Sequence, residues 1–317
     1  MRYVLRRLRQ LVLVVLAVTF LTFLLVSVLP GDVAYDIAGQ DATEEVVEAI
    51  REDLGLNRPI PVRYVEWLGN FVTGDWGRSY RTDEPVLEGI LTRFPVSLEL
   101  MLVAQVFALL LAVPLGILSA WRSGRPADRV IAATGFMSLS VPPFMGAIVL
   151  ILLFSLNLGW LPTSEYKPLS EGLWANLRAF ILPGLAIALA EWTVLMRVLR
   201  ADMIGVLQQD YISLARAKGL PTWYIILRHA LKPASFSMIT IFGLQVGTLV
   251  GGSIIIESIF ALPGVGRLLI SAIYARDFIV VQGVVTFIAF AYVFVNFLVD
   301  MLYAVLDPRV RTERADV

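Results

Sequence analysis

The sequence predicts an all-α polytopic membrane protein with six transmembrane helices and an extended segment outside the membrane after the first. Three observations carry this. Apolar residues make up 58% of the 317 residues and mean hydropathy is +0.76, whereas soluble domains hold about 45–50% apolar residues. The excess falls into runs long enough to cross a bilayer, which takes about 20 apolar residues in a helix. The stretches between the runs carry their basic residues unevenly, as the orientation of a membrane protein requires. Net charge is zero and the basic residues are dispersed, so nothing supports a nucleic-acid partner. The chain has no cysteine, which excludes disulfides, thiolate metal sites and cysteine nucleophiles together.

The first element follows Arg2, Arg6, Arg7 and Arg9 and is an unbroken apolar run over Leu11–Leu29. A cleavable signal has an apolar core of about 7–15 residues and a small-x-small cleavage site. The run has neither feature and is expected to be an uncleaved first span. Further spans are expected over 97–120, 131–156, 180–196, 236–259 and 280–306, with Pro142-Pro143 kinking the third. Four basic residues stand in the N-terminal arm, three in 121–129 and three in the tail at Arg309, Arg311 and Arg314, against two each in 157–179 and 260–279. The short cytoplasmic loops should be the basic ones, so both termini, and the polar stretch around Gly219, are expected in the cytoplasm.

Residues 31–96 should form helices of their own outside the membrane. Thr43 can cap a helix whose first turn holds Glu44 and Glu45, Val46, Val47, Ile50 and Leu54 line one face, and Gly55 supplies a stop. A second amphipathic stretch over 62–72 follows Pro59 and Pro61. This segment reads either as a packed outer cap or as a contact for another protein. The expected organisation is therefore 1–30 arm and first span, 31–96 outer segment, 97–309 five-helix core with a cytoplasmic loop at 205–233, and 310–317 tail.

Polar groups at bilayer depth usually face a bundle interior or a watery path. Gln105, Glu191, Gln245, Asn296 and Asp300 are those to explain, and interhelical hydrogen bonding suffices for Gln105. Gln245 lies among Gly243, Gly247 and Gly251, a spacing that allows close helix packing and also leaves a narrow surface suited to a solute path. Glu257 closes that span. Asn296, Asp300, Tyr303 and Asp307 share one helical face, expected to be structural and to pair with Arg309, Arg197 or Arg200.

The remaining polar stretch runs from Asp210 to Pro233 and predicts two short helices broken at Gly219-Leu220-Pro221. Its Ala215-Arg-Ala-Lys-Gly-Leu220 and Arg228-His-Ala-Leu231 resemble the EAA loop of ABC-importer permeases, in the dipeptide/oligopeptide/nickel branch. Ser213 stands where the general pattern has Glu, Pro233 where the branch has Asn, and Ser237 where it has Pro. Leu54-Gly55-Leu56, Tyr64…Trp67-Leu68, Gly74-Asp-Trp-Gly-Arg-Ser79 and the Asn296…Asp307-Pro308-Arg309 face are also similar to that branch. The resemblance implies the type I ABC importer permease fold in a bacterial or archaeal plasma membrane. It implies that Tyr211, Ala215, Arg216, Ala217, Lys218, Gly219 and His229 meet an ATPase. It further implies that Gln245, Gly247, Gly251 and Glu257 line the translocation path with a second, homologous permease subunit. An extracytoplasmic substrate-binding protein would deliver di- or oligopeptides or related solutes.

No Gly-x-x-x-x-Gly-Lys-[Ser/Thr] loop occurs, so ATP and Mg are expected on two partner ATPase subunits or domains and no cofactor on this chain. His229 is the sole histidine, which excludes His-pair metal sites and leaves a serine–histidine hydrolase without support. An ion-coupled secondary transporter is the alternative; it would need mid-membrane carboxylates in paired halves, and Glu191 alone suits.

Overall fold

The computed structural model describes residues 2–28, 33–39, 42–53 and 55–306. Their regular structure is helical, apart from an isolated antiparallel bridge between Arg78 and Pro85. Among the described residues, Arg9–Ser27, Val86–Trp121, Leu173–Leu207, Thr222–Gly252 and Phe278–Val299 are long and apolar enough to cross a membrane, and Pro126–Ser140 with Pro143–Asn157 completes the six as one broken span.

That third span is broken outright where a kink was expected. Helices α6 (Pro126–Ser140) and α7 (Pro143–Leu150) meet at 102°. The ring of Pro142 drives Val141 out of the helical region, to φ −97° and ψ 118°. Pro142 is itself extended, and Pro143 then opens the next helix, where its missing N–H costs nothing. Helix α7 runs on into a π-helical turn over Ile151–Asn157.

The chain divides into two compact units. The first holds residues 1–97 and 263–297. Here α1 (Arg2–Val28), α2 (Val33–Ala38), α3 (Glu44–Asp53) and α4 (Ile60–Thr73) precede the start of α5 (Val86–Trp121). Thr43 stands just before α3, its carbonyl accepting the Val47 N–H at 3.1 Å, and the chain turns at Gly55 as expected. Helix α4 is organised by a ladder of rings. Tyr64 meets Phe20 edge-on at 5.2 Å and Phe23 at 5.6 Å, then Trp67, Phe71 and Trp76 follow at 6.2, 5.2 and 4.3 Å. Phe287, in α14 (Phe278–Leu306), lies 6.4 Å from Trp76 and 5.2 Å from Phe94. Such ring pairs add about 0.5–1.5 kcal/mol each beyond burial. The Tyr64 hydroxyl sits 2.9 Å from Thr19 Oγ1, so the polar end of the ring has a partner.

The loop after α4 latches onto the start of α14. Asp277 and Ser79 are each 4% exposed, and Ser79 Oγ donates to Asp277 Oδ2 at 2.5 Å. Asp277 Oδ1 also accepts the Val280 N–H at 3.3 Å, an N-terminal cap. The Tyr80 hydroxyl donates to the Arg276 carbonyl and accepts the Phe278 N–H.

The second unit holds residues 98–262 and 298–317. Its backbone is α8 (Leu173–Leu207), which extends well past the expected span despite Pro183 and the charges at Arg197, Arg200 and Asp202. Packing on both sides sustains it. Ala108 and Ala112 of α5, Ile131 of α6, and Leu195, Met196, Leu199 and Met203 of α8 form one buried cluster. The cluster continues into α9 (Asp210–Ala217), the π-helical turn Ile225–Ala230 after the short α10 (Thr222–Tyr224), and α11 (Leu231–Gly252). Helix α11 stops at Ser253, and α12 (Ile254–Ile259) finishes the fifth apolar stretch. Chain order then returns to the first unit through α13 (Val265–Tyr274), whose first N–H, from Val265, bonds Ser97 Oγ at 2.9 Å.

Candidate functional site

The polar stretch after α8 folds as two short helical pieces. Gln209, extended at φ −72° and ψ 150°, precedes α9. Gly219 at φ +73° reverses the chain, a left-handed conformation that only glycine takes without strain. Leu220 then bonds back to the Ala215 carbonyl at 3.3 Å, and Pro221 opens α10.

Helix α9 has two faces. Ile212 (0% exposed) and Ala215 (7%) point inward, into the cluster that holds Leu199, Met203, Ile225 and Ile226. Tyr211, Leu214, Arg216, Ala217, Lys218 and Gly219 are exposed. Ala215 therefore takes part in packing within its own chain. Trp223 and Leu227 add exposed apolar surface on the next turns. His229 lies edge-on to Tyr224 at 5.5 Å, with Nε2 buried and unbonded among the described residues.

A buried carboxylate holds the approach to α9. Asp128, in the first turn of α6, accepts Arg200 Nε and Nη2 at 2.8 Å each, Ser119 Oγ at 2.5 Å and the Gly124 N–H at 2.8 Å. Four bonds satisfy the carboxylate, and the fork joins the end of α5, the turn after it and α8. Sequence reasoning passed over Asp128, because an aspartate in a helix's first turn is ordinary. The proximity of Ser119 at i−9 gave no periodic signal either. Arg200 is thus taken by Asp128, and Arg197 lies 4.9 Å over the Phe136 ring. Asn296 Oδ1 is buried without a partner among the described residues. Asp307 lies outside the described residues, as do the side chains of Asp300 and Tyr303.

In the fifth span, Gln245 Nε2 donates to the Glu191 carbonyl at 3.3 Å. Gln245 and Glu191 are half-buried, Gly247 is buried and Gly251 is exposed. Glu257 is 0% exposed and accepts Ser253 Oγ at 3.0 Å. It stands beside the break after α11. Close approach occurs at Gly243, where an added Cβ would stand 2.7 Å from a Val299 methyl. Gln105 is 4% exposed with both amide atoms unbonded among the described residues, so the expected interhelical bond is absent. No group of three or more His, Cys, Asp or Glu side chains able to hold a metal occurs among the described residues.

Comparison with known proteins agrees with the architecture along nearly the whole chain. A peptide transport system permease protein of Brucella abortus (strain 2308) is 42% identical over 308 residues, 97% of this chain and 98% of the relative. The glutathione transport system permease protein of Pectobacterium atrosepticum is 38% identical over 312 residues, 98% and 99% of the two chains. The oligopeptide transport system permease protein of Bacillus subtilis is 37% identical over 311 residues, 97% and 98%. Residues 1–101 match the N-terminal family model of binding-protein-dependent transport system membrane components. Residues 112–312 match the family model described as the inner membrane component of binding-protein-dependent transport systems, and the chain belongs to that family of multi-pass membrane permeases.

Proposed function

We propose that the chain is the permease subunit of an ATP-driven importer of di- or oligopeptides or related small solutes such as glutathione. It works in the plasma membrane of a bacterium or archaeon with both termini in the cytoplasm. It pairs with a second, homologous permease, sits on two ATPase subunits that hold ATP and Mg, and receives solute from an extracytoplasmic binding protein, toward which residues 31–96 are turned. The chain itself hydrolyses nothing.

The observation that carries this reading is the split character of α9. Its inner face, Ile212 and Ala215, belongs to the cluster that packs α8, while Tyr211, Leu214, Ala217 and Lys218 stand exposed. A partner that grips the exposed face moves α8 as well, because close-packed interiors transmit displacement and do not absorb it. Lys218 offers charge pairing to the ATPase, Arg216 lines the cleft at the edge of that contact, and His229 braces Tyr224 behind it. Gln245, Gly247 and Gly251 belong to the solute path, where α8 and α11 shift between inward- and outward-open states. Asn296, Asp300, Tyr303 and Asp307 form a structural polar face at the end of α14.

Gly219→Pro tests the lever, since φ of +73° is closed to proline, whose φ stays near −65°. Membrane insertion should be normal and solute-stimulated ATP turnover of the assembled transporter lost. Full transport in this variant, or uptake that survives ATP depletion and collapses with an ion gradient, overturns the reading.

A further inference from the structure

Beside α9 lies a cleft of about 740 Å³ between the end of α5, the α5–α6 turn, the end of α8 and the start of α10. Ala120, Ile204, Leu207, Leu220 and Ile225 supply its apolar floor. Its polar groups are Arg125, Arg216, Gln208, Ser123 and Thr222, with no carboxylate in the lining. Neither arginine forms an ion pair among the described residues, in contrast to Arg200, whose charge is spent on Asp128.

We infer that this cleft binds a phosphate group. Two guanidinium forks on different elements suit an anion with three or more oxygens better than a carboxylate with two. The hydroxyls of Ser123 and Thr222 and the amide of Gln208 add neutral donors. The volume admits the substituent of a phosphate ester as well as the free ion. Trp121 also lines the cleft and is 40% exposed at the end of an apolar helix, a position aromatic rings favour at the membrane–water boundary. The phosphate can therefore come from an anionic lipid headgroup or from the aqueous phase.

Arg125 belongs to the α5–α6 turn and Arg216 to α9, so an anion bound by both ties the lever to the helices it moves. This regulatory consequence rests on the coupling role proposed above; the binding itself does not.

The test uses the assembled transporter in nanodiscs of phosphatidylcholine, with phosphatidylglycerol or inorganic phosphate as probes. Retention of phosphatidylglycerol is read by native mass spectrometry after detergent transfer, and phosphate binding by equilibrium dialysis. Each of Arg125→Gln and Arg216→Gln should weaken binding about tenfold, as expected for a charge-assisted bond. Arg129→Gln should not, and its elution by size exclusion controls for folding. Binding of phosphatidylglycerol unaffected by free phosphate identifies a lipid headgroup. Displacement by millimolar phosphate identifies a soluble source. Absence of binding to the wild-type complex, as when an acidic segment of an ATPase fills the cleft, overturns the proposal, and so does equal binding by the wild type and the double variant. A Gly219→Pro complex that still binds phosphate would separate a failure of the lever from a failure of the site.

Discussion

Arg200 holds Asp128 by its fork, Nε and Nη2 each 2.8 Å from a different carboxylate oxygen. The carboxylate side chain is 8% exposed and the guanidinium 31%. The pair spans 72 residues of sequence and ties α6 to the extended end of α8, from which α9 departs.

Removing either member leaves a charge without its counterpart. Asp128→Asn and Arg200→Gln should each cost about 3 kcal/mol, the lower end for breaking a buried pair, since Arg200 keeps some access to water. The double variant should cost less than the sum, and thermal unfolding of the four species in detergent measures the difference. Additive losses would show that the fork contributes no coupling.

The Ser79–Asp277 latch makes a different prediction. Ser79→Ala removes the hydroxyl that donates to Asp277 and accepts the Arg81 and Thr82 N–H groups. A loss of about 1–3 kcal/mol is expected for leaving a buried acceptor short. The loss should be local, because the bonds removed join residues of this loop to one another and to the turn before α14. Trypsin cleavage after Arg78 and Arg81 should quicken while global unfolding shifts little. An unchanged digestion rate would show that the latch does not hold the loop.

Gly243 tests close packing in the fifth span. An alanine Cβ there would stand 2.7 and 2.9 Å from the two Val299 methyls. Overpacking of this kind costs about 1–3 kcal/mol. Gly243→Ala should lower the unfolding temperature, and Val299→Ala in the same chain should restore most of it. Failure of the rescue would place the cost elsewhere.

Legibility in the sequence followed the range of the signal. Six apolar runs, the Gly219-Leu220-Pro221 break and the stop at Gly55 were readable because each depends on neighbours a few residues apart. Pro142-Pro143 was readable as a disturbance but not as a 102° bend, since a kinked and a broken helix carry the same residues. The length of α8 was missed because charges at Arg197 and Arg200 look like a span's end. In the fold, Asp128 neutralises Arg200 and the Phe136 ring covers Arg197.

The sequence by itself determined that the chain is helical, where it enters and leaves apolar surroundings, and which short loop is shared with importer permeases. These follow from composition and local periodicity, which act within a turn or a span. Tertiary structure alone decided that Ala215 faces inward, that Glu257 is buried, that Asp128 finds Arg200 and that Asp277 finds Ser79. Each of these depends on which side chains distant in sequence come within about 3 Å of one another, and no local pattern encodes such a meeting.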